Sequence, residues 1–436
     1  MMESFRQAQI GYEKTPENWT RRRLRFDAGF NPKKSTVNLK PEDEVSFIPM
    51  EAVGEMGGLE LNEKRRLEDV YDGYTYLANG DLCIAKITPC FENGKGALAV
   101  GLLNGVGFGT TELHVLRPAN TIDARFLFYV SMSEDFRKIG ASEMLGAGGQ
   151  KRVPEDFIKD WRPPLPELET QQRIARFLDD RTARIDALIE KKRALLKRLT
   201  EKRQALITRA VTKGLNPDVT FSDSGIEWLG KVPEHWEIKR FRFEARLLSG
   251  STPTTTNPDY WDGDIPWISP KDVKTEELTT AQDKVTEFAV TDYGLRVHEQ
   301  DNAVIVIRGM ILARRVPVAV ARGRYTVNQD MKVIQSKGDL GPEFFQMYLY
   351  AIESFLFTLV AEAGHGTKAL RTDVLLDVPV LVPPKHEQRT IIQSLRDNKA
   401  NIDQAIARIE SSIDTLTEYR SALITAAVTG QIPDLR

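Results

Sequence analysis

The chain has 436 residues, 28% of them charged and 41% hydrophobic, and a formal net charge of −2. That length allows about two to four domains, and so even a charge balance neither demands nor excludes a nucleic-acid partner. Two cysteines, Cys83 and Cys90, and five scattered histidines are too few for a disulfide framework or a structural zinc site. With no apolar run near 18 residues and no signal-like start, the sequence predicts a metal-free cytoplasmic protein with no membrane span.

In chain order, 1–18 reads as a polar arm. Pro16-Glu17-Asn18-Trp19 then opens a stretch that returns as Pro233-Glu234-His235-Trp236, each followed by a basic-aromatic strand, RRRLRF and then IKRFRF. Runs rich in apolar and β-branched residues predict strands at 45–49, 82–87, 97–103 and 113–116, then a helix over 124–139. Their counterparts are 265–268, 303–307, 316–321 and 331–334, with a helix over 343–360. A Gly-rich basic loop closes each set: GAGGQKR (146–152) and GHGTKALR (364–371), Gly149 and Lys151 matching Gly366 and Lys368. The expected divisions are an arm (1–18), a first mixed domain (19–165), a long helix (166–212), a turn-rich linker (213–232), a second mixed domain (233–383), a second long helix (384–429) and a tail (430–436). The fold class is α+β, doubled.

The long helices carry the clearest periodicity. Neither 169–212 nor 386–429 contains Gly or Pro, and the two match at a constant offset of 217 positions, as from Ile185-Asp186 to Ile402-Asp403. Apolar residues recur by threes and fours at Leu178, Ile185, Leu188, Leu195, Leu199 and Leu206, and at Leu395, Ile402, Ile409, Leu416 and Leu423. A stripe that narrow predicts a coiled-coil seam, with Arg181, Lys192, Asn398 and Ser412 as the polar slots that fix pairing. Each helix should be a rod on the order of 65 Å long, a spacer.

Catalytic signatures are missing. No phosphate-binding G-x-x-x-x-G-K-[ST] loop occurs. Asn257-Pro258-Asp259-Tyr260 lacks the second proline of an adenine-holding N-P-P-Y motif and reads as a turn, and nuclease-like spacings around Asp259 and Lys271 read as chance. The twin Gly-rich loops do not follow the βα order of a dinucleotide site, whereas a Lys or Arg beside glycine-freed amides suits a repeated polyanion, with Gln150 or Thr367 in reach of a base edge. The plainer alternative is a pair of surface turns, and single basic clusters elsewhere, such as Arg21-Arg22-Arg23 and Arg314-Arg315, are most simply solvated faces.

Taken together, the PEHW turn, LLSGSTPTTTNPDYWDGDIPWISPKDV (247–273), the junctions PPLPELETQQRIARFL and VPPKHEQRTIIQSL, and the helix ends LTEKRQALITRAVT and LTEYRSALITAAVT resemble the specificity subunits of type I restriction-modification systems over nearly the whole chain. The first mixed domain fits less well, with FNPKKS where the second has SGSTPT. The resemblance implies two target recognition domains joined by two long antiparallel coiled-coil helices, each domain reading one half of a bipartite site on double-stranded DNA. It also implies a chain without catalysis or cofactor of its own, docking two modification subunits, with S-adenosylmethionine, ATP and magnesium on those and on restriction subunits. Matching positions and chemistry make Gln150, Lys151, Arg152, Thr367, Lys368 and Arg371 the candidate DNA contacts in the twin loops. Lys33, Lys34, Ser35, Ser251, Thr252 and Thr254 are the candidates in the loops that lead each domain. Two other classes stand beside this one: a fused methyltransferase, which would need an S-adenosylmethionine loop, and a coiled-coil adaptor without DNA affinity.

Overall fold

The computed structural model describes residues 15–147, 149–362 and 366–436. Residues 1–14 of the arm, Gly148 of the first Gly-rich loop and Gly364 and His365 of the second lie outside that set. The chain forms two compact units, one of residues 1–193 with 409–436 and one of 194–408. Each therefore holds a mixed domain, the start of the long helix that follows it, and the end of the other long helix.

In the first unit a central four-stranded antiparallel sheet runs Ala28–Phe30, Leu113–Pro118, Leu82–Ala85, Gly96–Leu98. Leu82–Ala85 is buried at every position, as a strand covered on both faces must be. A second four-stranded sheet orders Glu63–Arg66, Glu44–Ile48, Val106–Gly109 and Thr75–Ala78. The second unit repeats the central order as Ala245–Ser249, Met331–Ser336, Asn302–Val306, Val318–Ala321, adds Glu277–Leu278 in parallel at the edge, and carries a three-stranded sheet centred on Trp261–Ile268. The helices expected over 124–139 and 343–360 are each broken in two. Asp123 caps Ala124–Met132 by accepting from the Arg125 and Phe126 amides, and Ser133 ends it. Pro342–Ala351 gives way at Ile352 to Glu353–Thr358. The linker is ordered, Phe221–Asp223 pairing antiparallel with Lys231–Pro233.

The long helices span Leu168–Lys213 and Lys385–Val428. Each begins with a buried glutamine. Gln171 donates to the Pro166 and Thr121 carbonyls (2.9 and 3.3 Å) and accepts from the Asp123 amide (2.8 Å). Gln388 does the same to Pro383 and Asp339 (2.8 and 3.2 Å) and from Gly341 (3.2 Å). The glutamine ties the first turn of the rod to the N-terminus of a domain helix, and that explains the repeated junction motif. Each long helix ends in a left-handed glycine against a tryptophan of the PExW turn: Gly214 (φ 74°) on Trp236, Gly430 (φ 73°) on Trp19.

Within each unit the two helix segments are joined by an ion pair, Asp186–Arg420 (2.8 Å) in the first and Arg203–Asp403 (3.0 Å) in the second. These are the same residues under the 217-position offset. The inward positions of the first helix step through Leu178, Thr182, Ile185, Ile189, Lys192, Leu196, Leu199, Arg203 and Leu206. Leu188 and Leu195, expected in the seam, are instead 43% and 45% exposed, while Ile189 is 1% exposed. Thr182 is buried in the place foreseen for Arg181, its hydroxyl donating to the Leu178 carbonyl (2.7 Å), and Ile189 and Leu196 lie inward where Leu188 and Leu195 were expected, while Leu178, Ile185, Leu199 and Leu206 stay inward. In the second helix Leu395, Ile402, Ile409, Leu416 and Leu423 all face inward, with Lys399 rather than Asn398 beside them.

Candidate nucleic-acid interface

In the second domain four segments are stitched into one surface at the ends of the central strands. Gly250 lies so close to Val327 that a Cβ would stand 1.7 Å from its carbonyl oxygen, and only glycine fits. The Ser251 amide donates to that oxygen (3.1 Å), and the Thr252 hydroxyl to Gln329. Ile307 donates to the Asp330 carbonyl (2.8 Å), Gly309 to that of Lys368 (3.0 Å), and Leu370 to that of Ile307 (2.8 Å). The loops 249–256, 327–330, 307–315 and 366–370 thus form one continuous rim.

The first domain is built the same way. Lys86 donates to the Glu112 carbonyl (2.9 Å), Thr88 to that of Lys151 (2.9 Å), and Val153 to that of Lys86 (2.8 Å). Lys151 and Lys368, matched by the duplication, accept the same bond in the two domains. Glycines at matched positions 149 and 366 hold φ of 80° and 75°, which a side chain would resist. The leading loop differs: Asn31, at φ 45°, bonds Val115 through both its amide and its side-chain oxygen (2.8 and 3.1 Å).

The rim brings together Gln150, Lys151 and Arg152 in one domain and Ser251, Thr252, Thr367 and Lys368 in the other; Gln150 and Lys151 are exposed. Arg152 is held by a two-armed contact to Glu112 (Nε 2.9 Å, Nη2 2.7 Å), and that guanidinium keeps the Glu112 carboxyl below its ordinary range. Lys368 lies 3.4 Å from Glu362. Thr254 is exposed, its hydroxyl 2.8 Å from that of Thr256. Lys33 and Ser35 are exposed, but Lys34 turns away, its ammonium on the Tyr71 carbonyl and 5.7 Å from the Tyr71 ring. Arg371 leaves the rim too, paired with Asp373 on the helix that begins at Thr372.

Lys86, Arg308, Gln329 and Lys332 have no like residue at the 217-position offset, so the repeat does not reveal them. Arg308 is exposed on the 307–315 loop, with Met310 beside it. Lys332 donates to the Ser249 hydroxyl, and burial together with the positive charge of Arg308 pulls its ammonium below the usual lysine value. Among the described residues no carboxylate pairs with Arg308 or Lys332. Two like charges held together without a counterion fit a polyanion. The 257–260 motif is a turn, as read: Asn257 accepts from the Asp259 amide (3.2 Å), and Tyr260 is buried with its hydroxyl on Asp292. Among the described residues no group of His, Cys, Asp and Glu fits a metal ion, and no helix is long and apolar enough to cross a membrane.

The fold and its rim define a doubled α+β recognition scaffold, and comparison with known proteins gives it a family. Residues 17–198 and 233–413 both match the type I restriction modification DNA specificity domain, and the chain belongs to that family. It is similar to the type I restriction enzyme EcoAI specificity subunit of Escherichia coli (45% identity over 161 residues, 36% of this chain). It is also similar to the MjaIX specificity subunit of Methanocaldococcus jannaschii (29% over 191 residues, 42% of this chain). The matches span 27% and 43% of the length of those relatives. A solved chain from work on complex assembly and conformational transition of the type I R-M system shares the fold, with a TM-score of 0.75 at 17% identity over 96% of this chain and all of that one.

Proposed function

We propose that this chain is the DNA-sequence specificity subunit of a type I restriction-modification enzyme. Each mixed domain reads one half of a bipartite target in double-stranded DNA. The two long helices pair antiparallel as a coiled coil, set the unread gap, and dock two modification subunits. The observation that carries the reading is the stitched loop rim, built twice by the same backbone hydrogen bonds and bearing different side chains in each domain. Two half-sites about one helical turn apart, roughly 34 Å, lie on one face of the duplex, within the span of rods of this length. The Asp186–Arg420 and Arg203–Asp403 pairs support an antiparallel register, since one partner rises in number as the other falls.

The chain performs no chemistry in this reading. S-adenosylmethionine belongs to the modification subunits, ATP and magnesium to restriction subunits, and the complex works in the cytoplasm. Lys86, Lys151, Arg308 and Lys332 neutralise phosphates, while Gln150, Gln329, Thr252 and Thr367 address base edges.

The test is single-molecule sequencing for methylated adenine in cells carrying the cognate methyltransferase subunit, with and without this chain. A split motif with a fixed gap, present only with the chain, is expected. An active methyltransferase whose marks ignore the chain would leave the adaptor class standing instead.

A further inference from the structure

The duplication supplies a control that most proteins lack. Surfaces that read two different half-sites must diverge between the domains, whereas a surface that meets the same partner twice must not. One exposed patch away from the rim is preserved in both copies. Phe26 and Phe243, related by the 217-position offset, are 66% and 64% exposed, although the residues two positions earlier, Leu24 and Phe241, are fully in the core. A single exposed phenylalanine is unremarkable. Here the setting is repeated too.

Arg25 and Arg23 converge on Asp160 (2.5 and 3.6 Å), and Arg242 and Arg240 converge on Asp377 (2.5 and 3.0 Å), all of them at matched positions. The backbone is held alike, Leu24 donating to the Trp161 carbonyl (2.9 Å) and Phe241 to that of Val378 (2.8 Å). Each phenylalanine precedes the first strand of its central sheet, Ala28–Phe30 or Ala245–Ser249, so it sits at the opposite end of that strand from the reading loops, beside the segment that leads into the long helix.

We propose that these are twin docking knobs, each taking one copy of the modification methyltransferase subunit. This rests on the function proposed above, in which one methyltransferase must serve each half-site. The partner surface that fits is an apolar socket for the phenyl ring, rimmed by carbonyl or carboxylate oxygens. Those oxygens accept the guanidinium N–H groups left over by Asp160 and Asp377. The arginines beside each ring are already held by Asp160 or Asp377, so they lose little freedom on binding, which is what an anchor site needs.

The experiment is native mass spectrometry and titration of the full chain with its cognate methyltransferase subunit, comparing wild type with Phe26→Ala, Phe243→Ala and the double variant. Thermal melts check that each variant is folded. Wild type should bind two copies, each single variant should weaken one site about thirty-fold so that one-to-one complexes accumulate, and the double variant should weaken both. Folded variants that bind two copies at wild-type affinity overturn the proposal. So does unchanged stoichiometry with weakened DNA binding, which would make the patch a nucleic-acid contact. If wild type itself binds no methyltransferase subunit, the underlying function fails rather than the placement of the knobs.

Discussion

The junctions and the loop rims of the two domains have followed opposite courses since the duplication. At the junctions the agreement extends to single hydrogen bonds: Gln171 and Gln388 each hold three backbone groups, and Gly214 and Gly430 each seat a helix end on a tryptophan. At the rims the backbone frame is shared but the leading loops are not. The second domain presses Gly250 onto Val327, whereas the first turns Asn31 into the left-handed region and bonds it to Val115. The secondary sheets differ as well, four strands in the first domain and three in the second. What holds the domains to the rods is common property, and the leading loops of the rims are individual.

The sharpest way to break that contrast is Gly250→Ala. The added methyl group cannot coexist with the Val327 carbonyl, so the loop or the strand must move, at about 3 kcal/mol. Adenine methylation is expected to lose the second half-site while the first, whose leading loop has no such contact, stays legible. Loss of both would mean that the domains are not independent readers.

Truncating the junction glutamines comes next. Gln171→Leu and Gln388→Leu each strand one backbone amide and two carbonyls in buried surroundings, and each should cost about 2 kcal/mol in urea unfolding. The comparison predicts equal penalties. A difference of more than about 1 kcal/mol would show that one junction leans on contacts the other lacks.

The ion pairs between helix segments should not match so well. Arg420 is 8% exposed and also donates to the Met56 carbonyl, while Arg203 is 27% exposed. Asp186→Ala is therefore expected to cost about 1.5 kcal/mol and Asp403→Ala about 0.5 kcal/mol. Double-mutant cycles with Arg420 and Arg203 would measure each coupling.

The duplication, the long helices and the α+β class were legible because they rest on periodicity and repetition, which a sequence displays directly. The inward face of the first helix was legible at Leu178, Ile185, Lys192, Leu199 and Leu206, but Leu188 and Leu195 are exposed while Thr182 and Arg203 lie inward, and a rule based on apolarity cannot choose those two. The rim was half legible. Lys151 and Lys368 were found because they recur at one offset. Arg308, Gln329 and Lys332 were not, because they lie at or beside strand ends that meet only through cross-strand pairing such as Ile305 with Lys332. Arg371 and Lys34 looked available in sequence because nothing there reveals Asp373 as a partner or places the Tyr71 carbonyl within reach.

Arg152 offers the finest test of the contrast, since its partner Glu112 belongs to the first domain alone. The paired arginine spends Nε and Nη2 on a carboxylate, which mutes its charge toward DNA. Glu112→Gln should release it, steepening the salt dependence of DNA binding by about 0.9 in the log–log slope and relaxing discrimination at the first half-site only. Acid should act in the same direction. The hydrogen bonds from Arg152 hold the Glu112 carboxyl below the usual carboxylate range, so the pair persists at neutral and mildly acidic pH and dissolves only as pH falls through that depressed value. The wild-type slope should therefore stay constant from neutrality down to about pH 5, and the Glu112→Gln slope should exceed it throughout that range. Equal slopes would mean that Arg152 faces the duplex even while paired, and that Glu112 orients the arginine without withholding it.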